Sequence, residues 1–267
     1  MAPPRPKKPL ADVQGMRPEI PLELDSVGIS ALRLRVLAPE AGGQWQSAAA
    51  ICALGASLSA DRRGAHMSRF VEALEAWDRR LGWESIRALL DGVRLRLDSS
   101  SASASFAFPF FMRKKAPFGA ESELSYDCGL SGILGGEGYS LAMSLEIPAM
   151  TVCPCSRAIC DEGAHSQRAI IRMRLQLRGL PHFEDLIALG EASASAPLHS
   201  LLKREDEKLV TETAFRQAAF VEDVARKAAS LLRMLPAVKS YEAEVESMES
   251  IHSHNAFARV AGPGPQG

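Results

Sequence analysis

The residues best suited to chemistry sit in one stretch, MTVCPCSRAICDEGAHSQR from Met150 to Arg168. It holds three of the chain's five cysteines and one of its six histidines. Three chemistries compete for it. A structural metal clip wants two to four residues between its cysteines and a second Cys/His pair at similar spacing. Here only Pro154 separates Cys153 from Cys155, and no such second pair exists. A redox pair wants Cys-x-x-Cys at a helix start, whereas these thiols fall near an expected strand end, where a spacing of two turns both to one face. The third option is a catalytic metal held by scattered thiolate, imidazole and carboxylate donors, with one position left for water. For that role the chain offers Cys153, His165, Glu207 inside LLKREDEKLVTE, and His252 and His254 in ESIHSHNA, the last two on one face of an expected strand. Each also has a plainer reading, as a hydrogen-bonded histidine or part of a solvated charge run.

Such residues need elements to position them. With 267 residues, 46% apolar and 24% charged, the composition is that of a globular chain. A net charge of −1 leaves no broad basic field for nucleic acid or an anionic membrane, so neither is expected as a partner. No apolar run approaches the roughly 20 residues that span a bilayer. The proline-rich, basic start lacks the apolar core of a secretory signal. That and the odd cysteine count lead us to expect reduced thiols and a cytoplasmic protein. Residues 1–25 are expected as a flexible arm and 263–267 as a flexible tail.

Strict alternation predicts strands at LRLRV (32–36), AAAICALGASL (48–58), FAFPF (106–110), LAMSLEI (141–147) and IRMRLQL (171–177). Helical spacing joins Val71, Leu74, Trp77 and Leu81, and then Ile86, Leu89, Leu90, Val93 and Leu97. VRLRL (93–97) alternates and could be a strand, but the wider stripe favours a helix. Val221, Val224, Ala228 and Leu231 or Leu232 mark another. In order, the elements read as two similar units, 26–134 and 135–262, meeting at the glycine-rich GILGGEGY. Two antiparallel four-stranded sheets, each with helices on one face, make an α+β fold. Their open edges favour an oligomer.

RGAHMSRFVE (63–72), CPCS (153–156), GAHSQR (163–168), LLKREDE (201–207), VTETAF (210–215), FVED (220–223) and ESIHSHNAFA (249–258) occur in this order. Together with DVQ at 12–14, they closely resemble the type IB GTP cyclohydrolases over residues 11–260. The resemblance implies a tunnelling fold, two tandem units per subunit closing into a barrel between subunits, usually as a homotetramer. It also implies the conversion of GTP and water to 7,8-dihydroneopterin triphosphate and formate, the first step of tetrahydrofolate and related pterin synthesis. By the same resemblance Cys153, His165, Glu207 and His252 are the ligands of one divalent ion. The donor set suits Zn, Mn, Fe(II) or Co without choosing among them. Such an ion lowers the pKa of a water to about 7, which attack at guanine C8 requires.

Glu249 and His254 are then candidates for proton transfer, Glu249 alternatively for holding a ligand in place. Cys155 is a further catalytic candidate. Glu222 in FVED matches the family's guanine-binding glutamate, whose two oxygens meet the base's N1–H and 2-amino group. His66, Ser68, Arg69, Arg168, Lys203 and Arg204 fall in the matching motifs and are assigned to the triphosphate. Ser68 could instead cap the helix that follows it. The sequence departs from the pattern at Arg63, Ser166, Cys160 and 217–219, none of them a proposed ligand. The alternatives are an archaeal-type cyclohydrolase giving a cyclic phosphate, a nitrile reductase with a cysteine nucleophile, and a non-catalytic nucleotide- or metal-binding protein.

Overall fold

Period-two burial builds the strands, and its breaks place the turns. In the computed structural model, which describes residues 11–265, β1 (Leu24–Pro39) pairs antiparallel with β2 (Trp45–Leu58). Helices α1 (Met67–Ala76) and α2 (Trp83–Leu97) follow, then β3 (Ala102–Lys115) and β4 (Glu121–Gly135). β5 (Gly138–Val152), α3 (Pro154–Ile159), β6 (Ser166–Leu177), α4 (Phe183–Ser193) and the short β7 (Ala196–Pro197) come next. The chain then forms α5 (Arg204–Arg216), α6 (Val221–Leu232), β8 (Val238–Ser247) and β9 (Ala256–Pro263).

The expected pair of four-stranded sheets is one continuous antiparallel sheet, in the order β1-β2-β3-β4-β5-β6-β8-β9, with β7 on the free part of β5. The glycine-rich seam causes this. Gly135 pairs with Gly138 across a two-residue turn, and Gly138 takes a positive φ of 93° that a side chain would strain. β4 therefore runs straight into β5, and the sheet has two open edges, β1 and β9, instead of four. The order β-β-α-α-β-β recurs in the second half with α3, α4 and β7 added.

One face of the sheet carries the core. Phe106, Phe108 and Phe110 of β3, Leu141, Met143, Leu145 and Ile147 of β5, and Ile171, Met173 and Leu175 of β6 are buried there beneath the helices. The expected stripe of α2 is buried throughout, at Ile86, Leu89, Leu90, Val93 and Leu97. α6 buries Val221, Val224, Ala228 and Leu232. α1 is rotated from expectation. Its buried line is Phe70, Ala73 and Leu74, while Val71 is exposed and Trp77 and Leu81 are buried beyond the helix end. Phe70 and Val71 differ by about 100° around a helix, so only one can face the sheet, and the larger ring takes that side.

Within the expected N-terminal arm, residues 12–16 are docked. Arg63 N–H donates to Met16 O at 2.8 Å and Gly64 N–H to Gln14 O at 3.1 Å. Residues 1–10 and 266–267 of the expected arm and tail lie outside the described residues. Strand β9 takes in Pro263, which corrects the expected start of the tail at 263. Among the described residues no helix is long and apolar enough to cross a membrane.

Candidate metal and nucleotide site

Antiparallel pairing explains how residues far apart in sequence meet. β5 and β6 pair down to Val152 with Ser166, and Cys153 N–H extends the ladder by donating to His165 O at 3.1 Å. The intervening residues form α3 and a loop. Cys153 is the N-cap of α3, with Pro154 at the first helical position, where its missing N–H costs nothing. The strand-face expectation for Cys153 and Cys155 is therefore corrected. The chain turns into a helix after Cys153, and Cys155 lies exposed on it.

A chain of polar contacts builds the site around His165. Ser156 N–H donates to Cys153 Sγ at 3.4 Å, and His165 N–H to Ser156 Oγ at 3.2 Å. Gln167 Oε1 is 2.8 Å from His165 Nδ1. The amide nitrogen of Gln167 faces two acceptors, Thr151 Oγ1 at 3.3 Å and Glu249 Oε1 at 3.4 Å. That orientation makes His165 Nδ1 the protonated nitrogen and leaves Nε2 with a free lone pair. Glu249 is anchored by the buried Ser247, whose Oγ donates to it at 2.6 Å. The register makes the cluster possible: Thr151 opposes Gln167 and Ala169 opposes Ser247, so these side chains share a face across three strand ends. Gln167, Ser156, Thr151 and Ser247 were not singled out in the sequence. Gln167 was visible as the residue two past His165, the spacing that keeps a strand neighbour on one face.

The other expected ligands stand apart. His252 and His254 are on an exposed loop, 248–255, not a strand, with their rings stacked at 5.1 Å. That loop is closed by Met248 N–H on Arg168 O at 2.9 Å and Asn255 Nδ2 on Glu246 Oε1 at 3.0 Å. Glu207 is exposed in the first turn of α5. It shares a helical stripe with Val210 and Ala214, which pack against Val152 beside Cys153. Its neighbour Asp206 is fully buried and occupied by backbone N–H groups, which leaves Glu205 and Glu207 as the exposed carboxylates of that turn, and of these Glu207 is the one on the stripe with Val210 and Ala214. Among the described residues no three His, Cys, Asp or Glu side chains come close enough to hold an ion. The four expected ligands are thus not gathered within one chain. The donor chemistry nonetheless fits a divalent metal: a thiol, an imidazole with its free nitrogen set by Gln167, and a carboxylate with no ion-pair partner among the described residues.

The substrate candidates fall into two groups. Lys203 is the N-cap of α5 and Arg204 its first residue; Glu222 is exposed in the first turn of α6, and Arg168 is exposed on β6. In the first half, His66 and Arg69 line a cavity with Asp12, Gly15, Arg62 and Leu97. His66 Nε2 is 3.3 Å from Asp12 Oδ1, and Arg69 donates to Arg96 O at 2.8 Å. Ser68 does not cap α1. The N-cap is His66, and Ser68 is exposed one residue inside the helix.

Comparison with known proteins identifies the family. Residues 10–258 match the family described as type I GTP cyclohydrolase folE2. The GTP cyclohydrolase FolE2 of Desulfovibrio desulfuricans is 48% identical over 252 residues, covering 94% of this chain and 97% of that protein. The protein of the same name from Thermosipho africanus is 42% identical over the same shares of both chains. Among solved structures, the uricase of Arthrobacter globiformis matches with a TM-score of 0.54 at 8% identity, over 90% of this chain and 93% of that one. That likeness concerns the fold alone.

Proposed function

Because the chain belongs to the type I GTP cyclohydrolase FolE2 family, it is an enzyme acting on GTP in folate biosynthesis, and we propose that it does so with a divalent metal, as the type IB motifs imply. The products are 7,8-dihydroneopterin triphosphate and formate. Cys153 and His165 would hold the ion, with Glu207 and His252 completing its ligands. When bound, the ion supplies Lewis acidity and a water acidified to near-neutral pH. The observation that carries this reading is the Glu249–Gln167–His165 chain of hydrogen bonds beside Cys153. Metal-ligating histidines are commonly oriented in this way through their other ring nitrogen.

The protein's own groups do the rest. Gln167 fixes the His165 tautomer, and Glu249 fixes Gln167. Glu222 accepts from guanine N1–H and the 2-amino group, placing C8 at the far end of the base. Lys203, Arg204, Arg168, His66, Ser68 and Arg69 meet the triphosphate. His254, exposed beside His252, delivers a proton to the imidazole-ring nitrogen as the ring opens, with Cys155 as a relay. The His66 group and the Cys153 group lie on different halves of the chain, which supports a substrate shared between subunits of a cytoplasmic homotetramer. Its tandem tunnelling-fold units close into a barrel. The test is to strip the protein of metal, add GTP with each divalent ion in turn, and assay formate and pterin fluorescence. The mass of the product separates a linear triphosphate from a cyclic phosphate. No formate with any ion would overturn the metal-dependent reading.

A further inference from the structure

The segment leading into α5 is held by a hairpin from the other half of the chain. Lys114 of β3, buried, donates to Leu198 O at 2.8 Å and to Glu191 Oε1 at 2.6 Å. Tyr126 of β4 donates to the same carboxylate oxygen at 2.7 Å. Ser200 Oγ donates to Glu123 O at 2.8 Å. Phe118 N–H, in the β3–β4 turn, donates to Asp206 Oδ1 at 2.8 Å, while Asp206 Oδ2 accepts from Lys203 N–H at 3.1 Å. Asp206 has 0% exposure in a run whose charged members Lys203, Arg204, Glu205, Glu207 and Lys208 are all exposed. The far end of α5 is tied as well. Arg157 of α3 donates to Arg216 O at 3.0 Å and stacks over the Phe215 ring at 4.9 Å.

A helix start needs only a local acceptor for its free N–H groups, and Asp206 Oδ2 meets that need. Its second oxygen does something different: it reaches a turn 88 residues away in sequence and sets where the helix lies on the sheet. We infer that Asp206 is a positioning residue, clasped by the β3–β4 turn so that the first turn of α5 presents Lys203 and Arg204 to the triphosphate and Glu207 to the metal. This rests on the roles given above to those three residues. Misplacing a reacting or binding group by about 1 Å can cost on the order of 100-fold in rate, so the clasp acts on the reaction as well as on the fold.

Asp206→Asn keeps the volume but sets an amide N–H₂ against a backbone N–H. The expected result is a rise in the KM for GTP of about tenfold and less bound metal per subunit at limiting supply. Faster amide exchange at residues 116–120 accompanies it. Guanosine, which lacks phosphates and is read by Glu222 on α6, binds as before. Equal losses for GTP and guanosine would mean general loosening and overturn the inference. So would a folded variant with unchanged KM and metal content. If Asp206→Asn does not fold, Ser200→Ala removes the exposed tether instead: a two- to threefold rise in GTP KM with guanosine unchanged, about what one hydrogen bond contributes, supports the clasp, and no change overturns it. Glu207→Gln is assayed in parallel. Retained turnover there would defeat the site reading itself. Lost turnover there, with Asp206→Asn behaving as the parent, would defeat the positioning role alone.

Discussion

At the residue scale one thiol and one imidazole, Cys153 and His165, are brought together by a strand ladder. Cys153 is half-buried at the mouth of α3 and is no part of the main core. On the proposed ligand role, Cys153→Ala should abolish turnover while leaving the melting temperature unchanged; near-normal formate release would remove the ligand assignment. Gln167→Ala should lower metal affinity or activity by roughly 10–100-fold, because His165 loses the acceptor that sets its tautomer. Glu222→Gln replaces one acceptor with a donor facing guanine's own donors, so it should raise the KM for GTP far more than it lowers kcat. The motifs singled out Cys153, His165 and Glu249 in the sequence, and the structure brings these three to neighbouring strand ends. Gln167 and Ser156 were hidden, since an amide and a hydroxyl take roles only from the neighbours that pairing supplies. Sequence spacing misled for HSH: two residues apart implies one face only on a strand, and 248–255 is a loop.

Elements whose burial follows a single period were legible, and where two periods compete a wider window decides between them, as VRLRL shows. As a strand it would put Val93, Leu95 and Leu97 on one face, but in α2 Leu95 is 83% exposed while Val93 and Leu97 are buried. Leu90→Ala should thus cost about 2–5 kcal/mol in urea unfolding, and Leu95→Ala less than about 0.5 kcal/mol. Equal costs would contradict the helical packing. The six-residue α3 and the two-residue β7 were not anticipated, because elements that short carry too few residues to show a period. The segment between β7 and α5 also carries a pH response. Burial first, then Lys114, holds the His199 ring below its usual value of 6.5, against opposing pulls from Glu191 and Asp206. Its Nδ1 is buried without a partner. With the folded value depressed, the unfolded chain takes up this proton first as pH falls. The contribution is intact above 6.5 and is lost below it, down to the folded value. Unfolding midpoints of His199→Gln should fall less than the parent's between neutral pH and that lower limit. An unchanged pH dependence would show that the ring does not titrate this way.

Across the whole molecule, the helices cover one sheet face and leave the other bare. That bare face carries Arg172 with Glu146, Glu244 and Glu246, and Arg174 with Glu242. Among the described residues, strands β1 and β9 end the sheet, β1 being covered only at Leu37 by residues 79–81, and Phe257 on β9 is 73% exposed. An uncovered edge of this kind invites pairing with another chain, and a symmetric assembly would bring the first half of one subunit to the second half of another. In such an assembly, His66 and Arg69 of one chain would face Cys153 and His165 of its neighbour, which is the arrangement the proposed function requires. Arg69→Ala and Cys153→Ala, each inactive alone, should recover turnover when unfolded together and refolded as a mixture, because a mixed interface contains one site with neither substitution. Phe257→Glu, which places a charge on the β9 edge, should lower the assembled mass in sedimentation and lower turnover with it. Mixed assemblies that form and stay inactive would place the whole site within a single chain, and the two groups would then have to meet by a movement of the chain itself.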